Sequence, residues 1–179
     1  MKPALLRQND RYDVQVHQLF QDLSAHSDEQ LNRKPANGGW SAMQVLHHLL
    51  LVEEFSLAYV RKKLSFHPTV EQVNLGTHLR SLFLSTYLRS PLKRKAPPAV
   101  GDDNLPAFAT LADTRARWVQ TRQAWTQFFT DLPDHLLDKQ VYKQPFAGRL
   151  GWPQTLDFFA AHFQRHRRQA LRAVGGSTK

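Results

Sequence analysis

The 179-residue sequence predicts an all-α protein, most simply an antiparallel four-helix bundle with additional short helices. Three observations carry that reading. Apolar residues recur at three- and four-residue spacing through most of the chain, the period of a helix with one buried face. Ser41 and Thr110 each stand just before such a stretch, where a side-chain oxygen can accept an orphan N–H of the first turn. Pro and Gly gather mainly between the stretches, where they break helices. One domain is expected over residues 1–179: with 41% apolar and 11% aromatic side chains, the chain can close a core without crosslinks.

Taken in order, the first helix is expected over Ala4–Leu23, with Leu5, Tyr12, Val16, Leu19, Phe20 and Leu23 on one stripe. A turn-rich piece, Ser27–Leu31, leads into a linker ending at Gly38 and Gly39. Ser41 and Gln44 have the spacing of a capping box, in which side chain and backbone satisfy each other's first-turn donors. The helix they start runs from Ala42 to Leu64, a length of about 35 Å at ~1.5 Å per residue. Val45, Leu49, Val52, Phe55 and Tyr59 form its main stripe, and Leu46, Leu50, Leu51 and Leu57 cover much of the rest. A helix apolar on two faces is buried on two sides, here by its own bundle and by a second subunit.

His67 and Pro68 end that helix, and Val70–Arg89 reads as the next, interrupted by Gly76, with Leu75, Leu79, Leu82, Phe83 and Tyr87 as its stripe. Residues 90–106 hold four of the ten prolines and the basic triplet Lys93-Arg94-Lys95, so a long basic loop is expected. Thr110 with Asp113 starts a helix over Leu111–Asp131 carrying Leu111, Trp118, Ala124, Trp125, Phe128 and Phe129. Pro133–Asp138 reads as one helical turn, and Tyr142–Pro153 as an irregular stretch with no strand. The last helix is expected over Gln154–Val174, stopped by Gly175 and Gly176.

Composition narrows the chemistry. There is no cysteine, which excludes disulfides, cysteine-ligated zinc, iron–sulfur clusters and a cysteine nucleophile. The net charge is +9, but the basic clusters at 61–63, 93–95 and 165–172 fall at a helix end, in a loop and on the outside of the last helix. A nucleic-acid footprint would gather them on one face, so a solvated surface is the expectation. The longest aliphatic run is Leu49–Val52, and Met1–Asp10 lacks the apolar core of a secretory signal. A cytoplasmic protein that does not engage a membrane is expected.

The nine histidines are the chemical signal. His162 and His166 stand four apart on the last helix, where side chains lie one above the other and two imidazoles can share an ion. Their stripe runs through Phe159, Thr155, Gln169 and Ala173 and faces inward, while Arg165, Arg167, Arg168 and Arg172 point elsewhere. On the capped helix, His48 lies on the core-facing stripe and His47 about 100° away, so His48 is the candidate third ligand. Taken alone the spacing is a weak signal and favours core histidines satisfied by backbone carbonyls; three positions that can converge across two helices weigh against that reading. Trp40, directly before Ser41, fits a staple at the helix start.

The residues Trp40-Ser41-Ala42-Met43-Gln44-Val45-Leu46-His47-His48-Leu49, followed by Glu53, resemble the tryptophan–serine helix start and histidine of the DinB/YfiT-like superfamily. Pro145-Phe146-Ala147-Gly148-Arg149-Leu150 and the later Phe158-Phe159-Ala160-Ala161-His162-Phe163-Gln164-Arg165-His166 are similar to its closing segment. The resemblance implies a four-helix bundle, commonly a homodimer. It also implies a divalent transition metal (zinc, nickel or iron) held by three histidines, matching His48, His162 and His166. Members with assigned activities are hydrolases, or transferases and isomerases that use a low-molecular-weight thiol, acting on small-molecule substrates. The chain departs from the family at Gln144, where many members carry a histidine, and in the length of the 90–106 loop.

Three neutral imidazoles leave a coordination position open, the arrangement of catalytic rather than structural sites. An ion held so can lower the pKa of water to about 7 or hold a thiol as thiolate; with no cysteine in the chain, any thiol comes from a co-substrate. Glu53 and Glu54 lie well over 100° round the helix from His48, and Asp157 is off the face of His162, so no acid or base is assigned. Gln44 and Gln169 are better placed to support ligands or touch substrate. The alternative reading is a non-catalytic bundle serving as a dimeric small-ligand-binding or stress-related module.

Overall fold

The computed structural model describes residues 1–90, 92 and 95–175. Six α-helices carry the fold: α1 (Lys2–Leu23), α2 (Asp28–Asn32), α3 (Ala42–Ser65), α4 (Leu75–Arg89), α5 (Leu111–Asp131) and α6 (Trp152–Ala173). Helices α1, α3, α5 and α6 form a four-membered ring in which α1 and α3 each touch both α5 and α6; α4 lies outside, against α6.

Side-chain contacts set the directions. Gln8 reaches Pro153 and Asp157, Gln15 pairs with Gln164 and Asp22 with Arg167, so α1 and α6 run parallel. Asn9 meets Thr126 while Phe20 packs edge-on against Trp118, so α1 and α5 run antiparallel. His47 with Thr114 and Glu54 with Arg117 make α3 and α5 parallel. The bundle therefore has two helices up and two down. Parallel neighbours need long connections, and the passage from α3 to α5 through α4 and the 90–110 segment provides one. No helix among the described residues is long and apolar enough to cross a membrane.

The local signals explain the elements. Ser41 and Gln44 form the expected capping box, and Ser27 with Gln30 forms another, turning the turn-rich piece into the short α2. Thr110 caps α5 through the Asp113 N–H. The first-helix stripe is wholly buried. Trp118, Trp125, Phe129, Phe159, Phe163 and Trp152 fill the centre, meeting largely edge-on, for example Trp125 on Phe159 at 5.3 Å, an arrangement the ring quadrupoles favour. Gly175, at φ +82°, ends the turn after α6; Gly176, Lys93 and Arg94 lie outside the described residues.

Four expectations are corrected. Helix α4 starts at Leu75, not Val70, because Asn74 and Thr77 exchange capping bonds there and the preceding residues instead bond to 138–140. Its apolar stripe is not core. Leu75, Leu79, Leu82 and Phe83 are 58–74% exposed, while the small polar face of Thr77 and Ser81, with Leu84 and Leu88, is the one buried. Periodicity identified a face and could not tell which side of the helix meets α6.

The third correction is a short antiparallel hairpin, β1 (Tyr142–Gln144) and β2 (Gly148–Leu150), in the stretch expected to lack strands. Gly148 supplies φ +80° at its turn, a conformation with little cost only for glycine. Gln144 Oε1 accepts the N–H groups of Phe146 and Ala147, both at 2.6 Å. Helix α6 begins earlier than expected, at Trp152, since Pro153 sits in its first turn where no N–H is needed.

A buried ionic network crosses the ring. Arg122 on α5 donates to Glu53 on α3 at 2.7 Å, and to Asp13 and Asn9 on α1. The Tyr12 hydroxyl donates to Glu53 at 2.6 Å, and the guanidinium lies 4.7 Å from the Tyr12 ring centre. Arg122 is 6% exposed and Glu53 2%. Charges so placed persist only when paired.

Candidate metal centre

His48 sits on the second turn of α3, and the capping box fixes where that helix begins and hence where the ring points. His162 and His166 are one turn apart on α6, the antiparallel neighbour of α3. The three rings converge. His48 Nε2 lies 3.3 Å from His162 Nε2, and the ring centres are 5.2, 4.7 and 4.5 Å apart. One nitrogen from each ring lies within 4.8 Å of those from the other two, a group that could hold a metal ion. Two nitrogens bound to one tetrahedral ion at about 2.1 Å stand roughly 3.4 Å apart. His48 and His162 already have that spacing.

Two of the three rings direct a proton away from the meeting point. The Val100 carbonyl can only accept, so its 2.8 Å contact places a proton on Nδ1 of His48 and leaves the Nε2 lone pair facing the other rings. Gln169 Oε1 plays the same part for Nδ1 of His166 at 2.9 Å. Such outer partners fix tautomer and ring orientation in metal sites. Burial is the main force lowering all three pKa values: His48 lies below the usual range, His162 well below it, and His166 at about 3. The rings are neutral at physiological pH, the form that binds metal.

The other residues singled out in the sequence fall elsewhere. His47 turns to α5, its Nε2 3.1 Å from the Thr114 hydroxyl. Gln44 Oε1 is occupied with the Ser41 N–H at 3.1 Å, inside the capping box. Glu53 belongs to the Arg122 network, Glu54 pairs with Arg117, and Asp157 accepts from Gln8. Gln144 holds the hairpin turn. Among the described residues no carboxylate hydrogen-bonds to the three histidines.

Two contributions were not read from the sequence. The expected loop contains 3-10 turns at Pro98–Val100 and Asp102–Asn104, which deliver the Val100 carbonyl to His48 and Asp102 to the Trp40 Nε1–H. Trp40 thus lies 5.0 Å from the His48 ring and ties the loop to the start of α3, rather than acting as a staple alone. Arg165 is not simply solvated: it donates to the carbonyls of Leu88, Ser90 and Leu92, holding the end of α4 against α6. Arg167 likewise pairs with Asp22 at 2.6 Å. No side-chain pattern announces a backbone acceptor, so the Val100 contact had no sequence signal.

A family model described as the DinB superfamily matches residues 11–170. The chain belongs to the DinB superfamily. The match takes in the capped start of α3, the hairpin and all three converging histidines of α3 and α6. No curated protein and no solved structure matches this DinB-superfamily chain.

Proposed function

We propose that this DinB-superfamily protein is a divalent-metal-dependent enzyme, a hydrolase or a low-molecular-weight-thiol-dependent transferase, with His48, His162 and His166 as its ligands. The observation that carries the reading is the convergence of three neutral rings from α3 and α6, two with their Nδ1 protons held outward. A first-row ion such as zinc, nickel or iron, bound by three nitrogens, supplies Lewis-acid polarisation of a carbonyl or holds an external thiol as thiolate. The chain's own residues do the positioning: Val100 and Gln169 orient the ligand rings, Trp40 and Phe158 flank them, and Arg165 anchors the loop.

The test is metal content. Protein purified from its native host without a metal-affinity step is expected to carry about one equivalent of a transition metal. His162→Ala should lose it while keeping its helical circular dichroism. Full metal retention by that variant would overturn the ligand assignment; no metal in the wild type, with no thermal stabilisation by added zinc, nickel or iron, would favour the non-catalytic module.

The reading includes a cytoplasmic homodimer. The outward apolar stripe of α4 supports a second copy as partner, since contiguous exposed patches of this kind mark contact surfaces. Sedimentation should then show Leu79→Glu shifting a wild-type dimer toward monomer.

A further inference from the structure

The histidine centre continues along α3 as an apolar surface. Val52, Phe55 and Tyr59 follow His48 at four, seven and eleven residues, the spacing that keeps side chains on one helix face. Phe55 is 48% exposed and Tyr59 37%, unlike the buried apolar residues on the other faces of α3. Beneath that face lies Phe158 of α6, itself buried, stacked on the His162 ring at 5.4 Å and 22°. Tyr142 stacks on Phe158 in turn at 6.1 Å, and Tyr59 meets Tyr142 edge-on at 6.2 Å. A continuous row of rings therefore runs from a candidate ligand to the protein surface. Tyr142 is fixed in it by the Ser56 hydroxyl, which donates to its oxygen at 3.0 Å.

We infer that the α3 face of Val52, Phe55 and Tyr59, backed by these buried rings, is the specificity surface of the centre, and that the substrate is amphiphilic: a metal-seeking polar head joined to an aromatic or alkyl tail. The inference rests on the metal-centre reading above. Seven residues of helix separate His48 from Phe55, about 10 Å at ~1.5 Å per residue, so the tail is a phenylalkyl or medium-chain group rather than a methyl. Phe55 and Tyr59, half-exposed on that face, gain by being covered, and the three-histidine group contains no carboxylate to oppose such a ligand. Phe55 is the specificity-determining residue, being both in line with His48 and open to an incoming molecule.

Acetohydroxamate and 4-phenylbutyrohydroxamate, titrated into cobalt-loaded protein and read by the cobalt absorption bands, test the inference. The phenyl-tailed probe is expected to bind at least about tenfold tighter, the gain of burying one ring face. Phe55→Ala should remove most of that advantage and leave acetohydroxamate binding unchanged, while Phe55→Leu keeps most of it. Equal binding of the two probes, or an advantage that survives in Phe55→Ala, overturns the proposal. A separate arm distinguishes failure of the metal reading, which would show as the absence of cobalt bands. In metal-free protein, saturation-transfer NMR should light the phenyl protons of 4-phenylbutyrate in the wild type and lose them in Phe55→Ala. No saturation in either protein would also overturn the apolar surface.

Discussion

Replacing Arg122 with Met should be among the most damaging single changes to this bundle. The guanidinium joins α5 to Glu53 on α3 and to Asp13 and Asn9 on α1. Without it, Glu53 keeps only the Tyr12 hydroxyl as a hydrogen-bond donor, at 2% exposure. The Asp13 side chain is 34% exposed and can recover water, and Asn9 keeps its bond to Thr126, so the cost concentrates at Glu53. Stranding one buried partner of an ion pair costs about 3–5 kcal/mol. Allowing for Asp13, roughly 3–4 kcal/mol is expected. With a urea slope of ~2 kcal/mol/M, the midpoint falls by about 1.5–2 M. Urea unfolding followed by far-UV circular dichroism measures it. Adding Glu53→Gln removes the stranded charge while keeping an acceptor for Tyr12, so the double variant should regain at least half the loss. A midpoint within about 0.5 M of wild type at an unchanged slope, or a double variant no better than the single one, would refute the argument.

Acid should weaken the metal-free protein in a defined window. The three converging histidines sit below their ordinary value of 6.5 in the fold, His166 at about 3, so the unfolded chain binds more protons between those limits. Their contribution is complete above pH 6.5 and drains as pH falls toward 3. The urea midpoint should drop across that range and drop less in His166→Phe; equal slopes for the two proteins would contradict it. Gly151→Ala should cost about 1–2 kcal/mol, read from the same midpoint, because a Cβ there would lie 2.5 Å from the stiff Val73 side chain and 2.7 Å from Gln154. Asp102→Ala removes the acceptor of the Trp40 indole. Hydrogen exchange at residues 96–104 should accelerate while helix content stays, and unchanged exchange would show the contact is idle.

The helices were legible because their starts are chemical and their faces periodic: Ser41–Gln44 and Thr110–Asp113 cap where expected. The histidine pair on α6 was legible from its spacing, and His48 from its stripe. Periodicity failed at α4, where a small polar face packs inward and the leucines face out; the choice is made by α6, not by α4. The hairpin escaped because two three-residue strands are too short to show alternation. The ionic network left a trace that could have been followed: Arg122 stands on the stripe of Trp118, Trp125 and Phe129, where a cation demands a buried partner.

One contact of the histidine centre depends on a backbone atom. Nδ1 of His48 is held by the peptide oxygen of Val100, which no substitution at position 100 can delete. Selection and engineering can reach that hydrogen bond only through chain shape, by altering how Pro97, Pro98 and Gly101 bend the turn. The side chain of residue 100 is thereby free to drift with the packing around it, while a proline or glycine exchanged nearby would swing the imidazole and retune its basicity without touching any of the three histidines.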